Sequence, residues 1–446
     1  MKAPLPRRRT KRRGLRLWPI TIVLALAFTA AAAAAAAAFY TGWKLLHVQG
    51  LTPEHHIGSR TLFDLAKLSF GVVAGAGALV ALIVAYRRQR IDEDGALREA
   101  TRLHTERFTT AVDQLGNESA AVRLGAVHAL AGIADDAPTR DLRQTCIDVL
   151  CAYLRLPYIA ESDLPAGDVH ARRAHLAVRE VRHTVIRVIR DHLCLPPEHA
   201  HSWQGHDFDL TDTTFDGGED FNGATFSGGH VNFGGATFSG GVVSFGGATF
   251  SGGVVSFADA EFSGGTVDFR GSHCGSWVSF AGARFSGGTV TFRGTWFSGG
   301  AVSFDGAEFS AGGVSFDLAS FWGGVVSFAD AVFSGGTVTF RGTGFHDGVK
   351  DFMGATFSGG QVSFAETQFS GGTVTFDRAE FSGGEVSFDR ASFSGSEVSF
   401  GNAVFSGGTV TFSSAAGAAP TDLVPPNGAP LPDGLRLPPA WHPAGS

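Results

Sequence analysis

The sequence is short of the residues that staple small folds or carry most side-chain chemistry. Among its 446 residues there are 4 cysteines, 2 methionines, 4 tyrosines and 5 lysines. So few cysteines exclude a disulfide-stapled scaffold. Cys146 and Cys151 stand five apart rather than in the C-x-x-C spacing of zinc and redox sites, and Cys194 and Cys274 stand alone. All four read as reduced thiols in a cytosolic domain. Charged residues make up 17% of the chain, below the usual quarter of a globular protein. No Gly-X-Y triplet runs through the 61 glycines, which excludes collagen. What the chain has in excess is phenylalanine, 39 copies, and that excludes wholesale disorder. The net charge of -7 averages unlike segments, because Lys2, Arg7, Arg8, Arg9, Lys11, Arg12, Arg13 and Arg16 crowd the amino terminus.

Two uncharged runs follow. Residues 19–40 hold six large apolar side chains between Ile20 and Phe28 and then nine alanines from Ala30 to Ala38. Residues 68–86 form the second run, closed by Arg87, Arg88 and Arg90. Each approaches the ~20 residues of a bilayer span, so the pattern predicts transmembrane helices at 19–40 and 68–86, with the lipid bilayer as a partner. The flanking Arg12, Arg13, Arg16, Arg87, Arg88 and Arg90 place residues 1–18 and everything after the second span in the cytoplasm, with loop 41–67 outside. The predicted location is the cell membrane, as a two-span protein. Gly71 and Gly75 form a G-x-x-x-G that permits a homo-oligomer, although a plain hairpin anchor is the simpler reading. A cleaved export signal with Arg12-Arg13 as a twin-arginine pair is the rival. Neither run holds an ionisable residue, so no ion pathway is indicated.

Residues 91–200 return to helical spacing and predict a small α-helical linker domain. Phe108, Val112 and Leu115 share one face, Ser119 is placed to cap a second helix through Val122, Val127 and Leu130, and Leu142 to Leu154 build a third. A further helix, from about Ala171 to Leu193, carries Arg172, Arg173, Arg179, Arg182, Arg187 and Arg190. A solvated arginine face is the expectation there, and contact with anionic headgroups is the alternative. His199, His201, His206 and Asp207 cluster in sequence but fit no ligand spacing, so no metal or cofactor is expected.

From Phe221 to Phe412 phenylalanines recur at alternating steps of five and seven, a period of twelve. Two residues before one phenylalanine stands valine (Val231, Val243, Val255), with a single exception at Lys350. Two before the other stands alanine (Ala236, Ala248, Ala260), replaced at times by Ser or Thr. Spacing of two puts both members on one side of a strand. One unit cannot bury its own Phe and Val, so coils must stack into a mostly β structure, a β-helix with an inward ladder of Phe226, Phe233, Phe238, Phe245, Phe250, Phe257 and their Val and Ala partners. Two such units per coil give eight coils. One unit, Phe269 to Phe280, is a residue short and has Cys274 where Phe would stand.

Ala236-Thr237-Phe238 and Ala260-Glu261-Phe262 resemble the pentads of the pentapeptide-repeat proteins, in particular membrane-anchored bacterial members, and the resemblance covers residues 205–412. It implies a right-handed quadrilateral β-helix. The two extra residues in every second pentad set this chain apart and put four equal faces in question. The outward residue of Val-x-Phe is mostly Ser or Thr, whereas that of Ala-x-Phe varies: Glu261, Arg284, Trp296, Glu308, Gln368. Specific recognition is expected on those variable positions. A proline-rich tail, 413–446, is expected to be disordered.

No catalytic constellation is present, since the serines of the repeated Phe-Ser-Gly-Gly corners have no paired His. The reading is a membrane-anchored, non-enzymatic scaffold whose cytoplasmic β-helix binds an unknown protein partner, with no direct contact to nucleic acid. Some members of the resembled family mimic DNA and act on a topoisomerase. The six acids from Asp207 to Asp220, and fifteen acids against seven Lys/Arg from Phe221 to Phe412, keep that alternative open. More remote are an ice-binding Ser/Thr face and an enzyme acting on polysaccharide.

Overall fold

In the computed structural model the described residues are 59–161, 164, 165, 167–424 and 430–442, with isolated positions 29, 32, 33, 36, 37, 40, 41 and 44; the side chains at 61, 62, 65, 69, 72, 73, 76 and 94 lie outside the described set. The chain divides into two units, 1–101 and 102–446.

In the first unit, helix α1 begins at Ser59 and runs unbroken to Leu115, a length of 57 residues. No proline interrupts it, so nothing stops the ladder at the end of the uncharged run, and Arg87, Arg88 and Arg90 lie in its interior. This corrects the expected separate helix at 68–86. Among the described residues no helix is long and apolar enough to cross a membrane, so the expected two-helix hairpin is not found. Its first member, with Arg12, Arg13 and Arg16, lies outside the described residues apart from six helical positions. Gly71 and Gly75 border open space, with no atom within 4 Å of where a Cβ would stand.

The second unit starts with the end of α1 and adds α2 (Ala120–Asp135), α3 (Arg140–Leu154) and α4 (Val169–Leu193). Leu130, Ala134, Ile147, Leu150, Val181 and Val185 are fully buried where these helices meet. Thr139 caps α3 by accepting from Leu142 N, and Asp168 caps α4 by accepting from His170 N and Ala171 N at 2.9 Å. The Ser119 hydroxyl makes no capping bond; Asn117 Oδ1 accepts from Ser119 N instead, at 2.9 Å.

The repeats form four parallel sheets. The first face runs from Phe208–Asp209 to Glu397–Ser399 and the second from Thr214–Phe215 to Val404–Phe405. The third runs from Glu219–Asp220 through Thr409–Thr411 to Leu435–Arg436, and the fourth from Thr225–Ser227 to Ala416–Gly417. Each face therefore has nine strands, ten on the third, one coil more than the repeat count predicts. Val243 pairs with Val267, two repeat periods further along the chain. Across the short copy Val255 pairs with Val278, one position short of two periods. The missing residue falls at the Gly275-Ser276 corner, where other coils have Ser-Gly-Gly. The extra residues of the longer step lie in these corners, so four faces survive with strands of two or three residues. Corner glycines are required where coils touch: Gly265 has φ +63°, and a Cβ on it would come 2.4 Å from Gly240 C.

The inward ladder is dry. Phe226, Phe233, Phe238, Phe245, Phe250, Phe257, Val231, Val243, Val255, Ala236, Ala248 and Ala260 are all buried. Phenyl rings stack coil on coil, Phe233 on Phe257 at 4.7 Å and Phe245 on Phe269 at 4.8 Å. Such contacts add about 0.5–1.5 kcal/mol each beyond area burial. Hydroxyls that replace alanine within the stack are buried and satisfied, Thr295 Oγ1 donating to Phe269 O at 2.7 Å and Thr343 Oγ1 to Phe316 O at 2.8 Å, whereas Thr213 Oγ1 in the first coil has no partner.

The tail also differs from its expected disorder. Leu435–Arg436 adds a strand to the third face, and Leu423, Leu435, Leu437 and Trp441 are buried over the last coil.

Candidate interaction surfaces

A β-solenoid exposes unpaired backbone groups at its first coil, and these must find partners. Helices α3 and α4 supply them. Arg182 donates to Thr214 O at 2.7 Å, Arg179 to Gly217 O at 2.8 Å, Gln144 to Asp207 O at 2.8 Å, and Arg140 to Gly205 O. Arg182 is buried, also reaches Leu154 O at 2.6 Å, and lies over the Tyr158 ring at 4.3 Å. Burial lowers its pKa. Arg179, Arg182 and Arg190 of α4 are thus engaged with the first coil, which corrects the sequence reading for them, while Arg172, Arg173 and Arg187 are exposed as a solvated face would have them. The acids at the start of the repeats meet the same helices: Asp209 pairs with Arg155, Asp216 with Arg179 at 3.5 Å, and Asp220 with Arg190 at 3.7 Å.

A mixed cluster lies beneath this cap. Ligand atoms of His183, Asp216 and Glu219 fall within 4.8 Å of one another. His183 Nε2 is 3.7 Å from Glu219 Oε1 and makes no hydrogen bond. Asp216, however, accepts from the Tyr158 hydroxyl at 2.8 Å, and Glu219 accepts from Gly217 N at 2.9 Å. Arg179 and Arg182 balance the two carboxylates, so a dication would displace guanidinium charge already in place. The Tyr158 hydroxyl is pushed up by burial and by Asp216. His199, His201, His206 and Asp207 do not converge. His201 faces Asp135 at 3.6 Å, His206 Nδ1 meets Gln144 Oε1 at 2.9 Å, and Asp207 accepts from His230 N at 2.8 Å. Burial, followed by Arg140 and Arg143, pushes His206 down to about 4.

The five variable positions do not form one surface. Glu261, Arg284 and Glu308 are register neighbours on the second face. Trp296 and Gln368 lie on the fourth, which is the opposite side of the coil. The Ser/Thr ladder of the first and third faces is engaged with its own corners: Thr339 Oγ1 donates to Asp317 Oδ1 at 2.7 Å and Ser399 Oγ to Asp377 Oδ1 at 2.5 Å. Those hydroxyls serve the fold. Further charges pair across coils, with Glu366 held between Arg341 at 3.1 Å and Arg390 at 3.4 Å and its carboxyl lowered chiefly by the Arg341 hydrogen bond.

Exposed apolar side chains gather along one edge. Trp277, Trp296 and Trp322 are 55%, 55% and 47% exposed, and Val325 and Val349 add 44% and 39%. All five lie on the fourth face or on the adjoining first positions of the first face. Register puts Trp296 level with Phe297, above His273 and below Ser320, while Trp322 stands above Ser298. Trp322 stacks on His346 at 4.0 Å, and Ser298 Oγ meets His273 Nε2 at 2.7 Å. Sequence reasoning follows the middle residue of Ala-x-Phe and so finds Trp296. It passes over Trp277, whose column of first-face positions is itself variable, and Trp322, which stands where Ser227, Ser251 and Ser298 stand in earlier coils. The departure of Trp322 from serine is a signal the sequence carries; Trp277 has none.

The interior is irregular beneath the same edge. Cys274 replaces a phenylalanine of the fourth face, and burial pushes its thiol up to about 12. Lys350 takes a valine position between Val326 and Val374, is fully buried, and donates to His346 O and Asp347 O. Burial pushes it down to about 8.

The family described as "Pentapeptide repeats (9 copies)" matches residues 240–284. No curated protein matches the chain. No solved structure matches it either. The matched copies share their register with the coils on both sides, so the repeat region is a β-solenoid whose matched stretch carries pentapeptide repeats.

Proposed function

We propose that the chain is a non-enzymatic scaffold, tethered at a membrane through its amino-terminal part, whose cytoplasmic solenoid holds a protein partner on the tryptophan edge. The observation that carries this reading is the clustering of exposed Trp277, Trp296, Trp322, Val325 and Val349 on one edge, whereas Val242, Leu318, Met353 and Val404 are exposed singly elsewhere on the solenoid. Clustered apolar exposure of this kind marks contact sites. Tethering is supported by the uncharged runs 19–40 and 68–86 and by the exposed Phe63, Leu68, Phe70 and Leu82 on α1. Mimicry of DNA is less well supported, because acids of the 207–220 stretch are paired with the helical cap, and Arg284 stands between Glu261 and Glu308 on the second face. The engaged hydroxyl ladder gives an ice-binding face little to work with. For an enzyme acting on polysaccharide, Glu261 and Glu308 stand on a strand face with Arg284 between them.

Two measurements test this. Alkaline carbonate extraction of membranes should leave the full chain in the pellet; recovery in the supernatant contradicts tethering. Detergent-solubilised full chain should retain a discrete partner protein that a Trp277→Ser, Trp296→Ser, Trp322→Ser triple variant loses. Retention by both chains would move the partner surface elsewhere.

A further inference from the structure

The size and chemistry of the tryptophan edge specify what it can hold. From the coil of His273 to that of Val349 it spans four coils, about 19 Å, and one strand plus a corner gives a width of about 15 Å. That is on the order of 300 Å², well short of the ~800 Å² per partner that a stable globular interface needs. The edge therefore suits a narrow, extended ligand rather than a folded domain or a second copy of this chain.

Its charge narrows the class further. Along this stretch the outward positions of the fourth-face strands and the first positions of the first-face strands hold Trp, His, Ser, Gly, Ala and Val, with no Asp, Glu, Lys or Arg. The corners between them add a single acid, Asp347. A strongly charged peptide would find almost no counter-ion on the edge. The hydrogen-bonding capacity is mostly that of donors. The indole N–H groups of Trp203 and Trp441 donate to Asp135 and to Gly417 O, whereas those of Trp277, Trp296 and Trp322 donate to nothing among the described residues. A ligand rich in acceptors and poor in donors fits such a surface. A proline-rich segment is that ligand, because each proline keeps its carbonyl and lacks the N–H, and its polyproline II form leaves the carbonyls facing outward.

Spacing agrees. Trp277 belongs to the coil of His273, and Trp322 lies two coil steps above it, a rise of about 9.6 Å. Three residues of polyproline II advance about 9.3 Å. The Gly323-Gly324 corner separates the column of Trp322 from that of Trp277, so a P-x-x-P segment crossing the edge obliquely would bring successive prolines to the two indoles.

We infer that the edge formed by Trp277, Trp296 and Trp322 is a docking site for a neutral, proline-rich polyproline II segment of a partner protein. This rests on the scaffold reading above and names the partner's chemistry. The probe is fluorescein-labelled decaproline, titrated by anisotropy against the full chain in detergent micelles, with cello-oligosaccharide and a Glu/Lys-rich decapeptide as competitors. Binding in the micromolar to submillimolar range is expected. Trp277→Ser or Trp322→Ser should weaken it at least tenfold, while Thr289→Ala on the third face should leave it unchanged. Equal thermal unfolding of the variants checks that these exposed substitutions spare the fold. No binding of decaproline at 2 mM, about tenfold above the range expected for a peptide in an aromatic groove, overturns the inference. So does binding that survives all three Trp→Ser changes. Displacement by the oligosaccharide alone would reassign the edge to glycan. If decaproline fails while a partner protein is still lost from the triple variant, the scaffold reading stands and only the polyproline assignment falls.

Discussion

The two ends of the solenoid solve one problem by opposite means. The first coil is closed by polar side chains: Arg140, Gln144, Arg179 and Arg182 reach from α3 and α4 to its backbone carbonyls. The last coil is closed by the chain's own backbone and by apolar bulk. Val410 N and Phe412 N donate to Gly434 O and Arg436 O, and Trp441 lies against Phe393 and Phe412 with ring centroids 5.6 and 5.7 Å away. At one end a separate helical layer supplies long cationic donors to the orphan carbonyls, and its apolar side chains share one core with Trp203, Phe208 and Phe215. The other end has exposed phenyl rings that only a nonpolar lid can keep dry. In a stack where each coil contacts only its neighbours, damage to one lid should stay near that end.

The largest effect should come from breaking the apolar lid. Trp441→Ala is expected to cost about 3–5 kcal/mol. Hydrogen exchange should quicken across residues 393–424, and the coil from Phe208 to Phe226 should keep its protection. Arg182→Ala tests the polar lid. It strands two buried carbonyls, for about 2–3 kcal/mol, and the quickened exchange should appear at residues 208–226 instead. Identical exchange profiles for the two variants would contradict independent lids.

Lys350 lies between the lids and sharpens the contrast, since it is a polar group with no end to cover. Its pKa is about 8 in the fold against an ordinary 10.5. Between those values the unfolded chain binds the extra proton, so stability rises with pH, by at most ~1.4 kcal/mol per pH unit. Among the described residues Asp347 and the titratable His346 face it. Lys350→Met should raise stability at pH 7 by about 1–3 kcal/mol and remove the upward slope between pH 8 and 10, read from urea midpoints. A slope that persists in the variant would assign it to another group.

The smallest effect is a labelling pattern. Cys194 is exposed, while Cys146, Cys151 and Cys274 are buried, with thiols pushed by burial up to about 11, 12 and 12. One thiol per native chain should react with a water-soluble disulfide reagent at pH 8. Arg182→Ala should open Cys151 to the reagent, and Trp441→Ala should not.

The repeat is legible because a period of twelve writes the same contact many times over. Val-x-Phe and Ala-x-Phe name the interior without any knowledge of coil size. The lids are not legible, because each contact is made once and without period. Arg182 and Arg179 look like any solvated helix charge until the carbonyls of Thr214 and Gly217 are placed against them. The proline-rich tail looks like a disordered segment until Trp441 meets Phe393. The working edge is half legible: Trp296 stands at a position already marked as variable, whereas Trp277 and Trp322 join it only through pairing across two repeat periods. The run at 68–86 is plainly uncharged in the sequence, but its limits are not helix limits, because no proline or capping sequence ends α1 there.

The central claim is that the tryptophan edge is the surface at which this solenoid works. Its most direct test is a photo-crosslinking amino acid placed at position 296 of the full chain in native membranes, with position 289 on the third face as the control. The account predicts one discrete protein adduct at 296 and none at 289. Equal adducts at both positions, or an adduct at 289 alone, would contradict it.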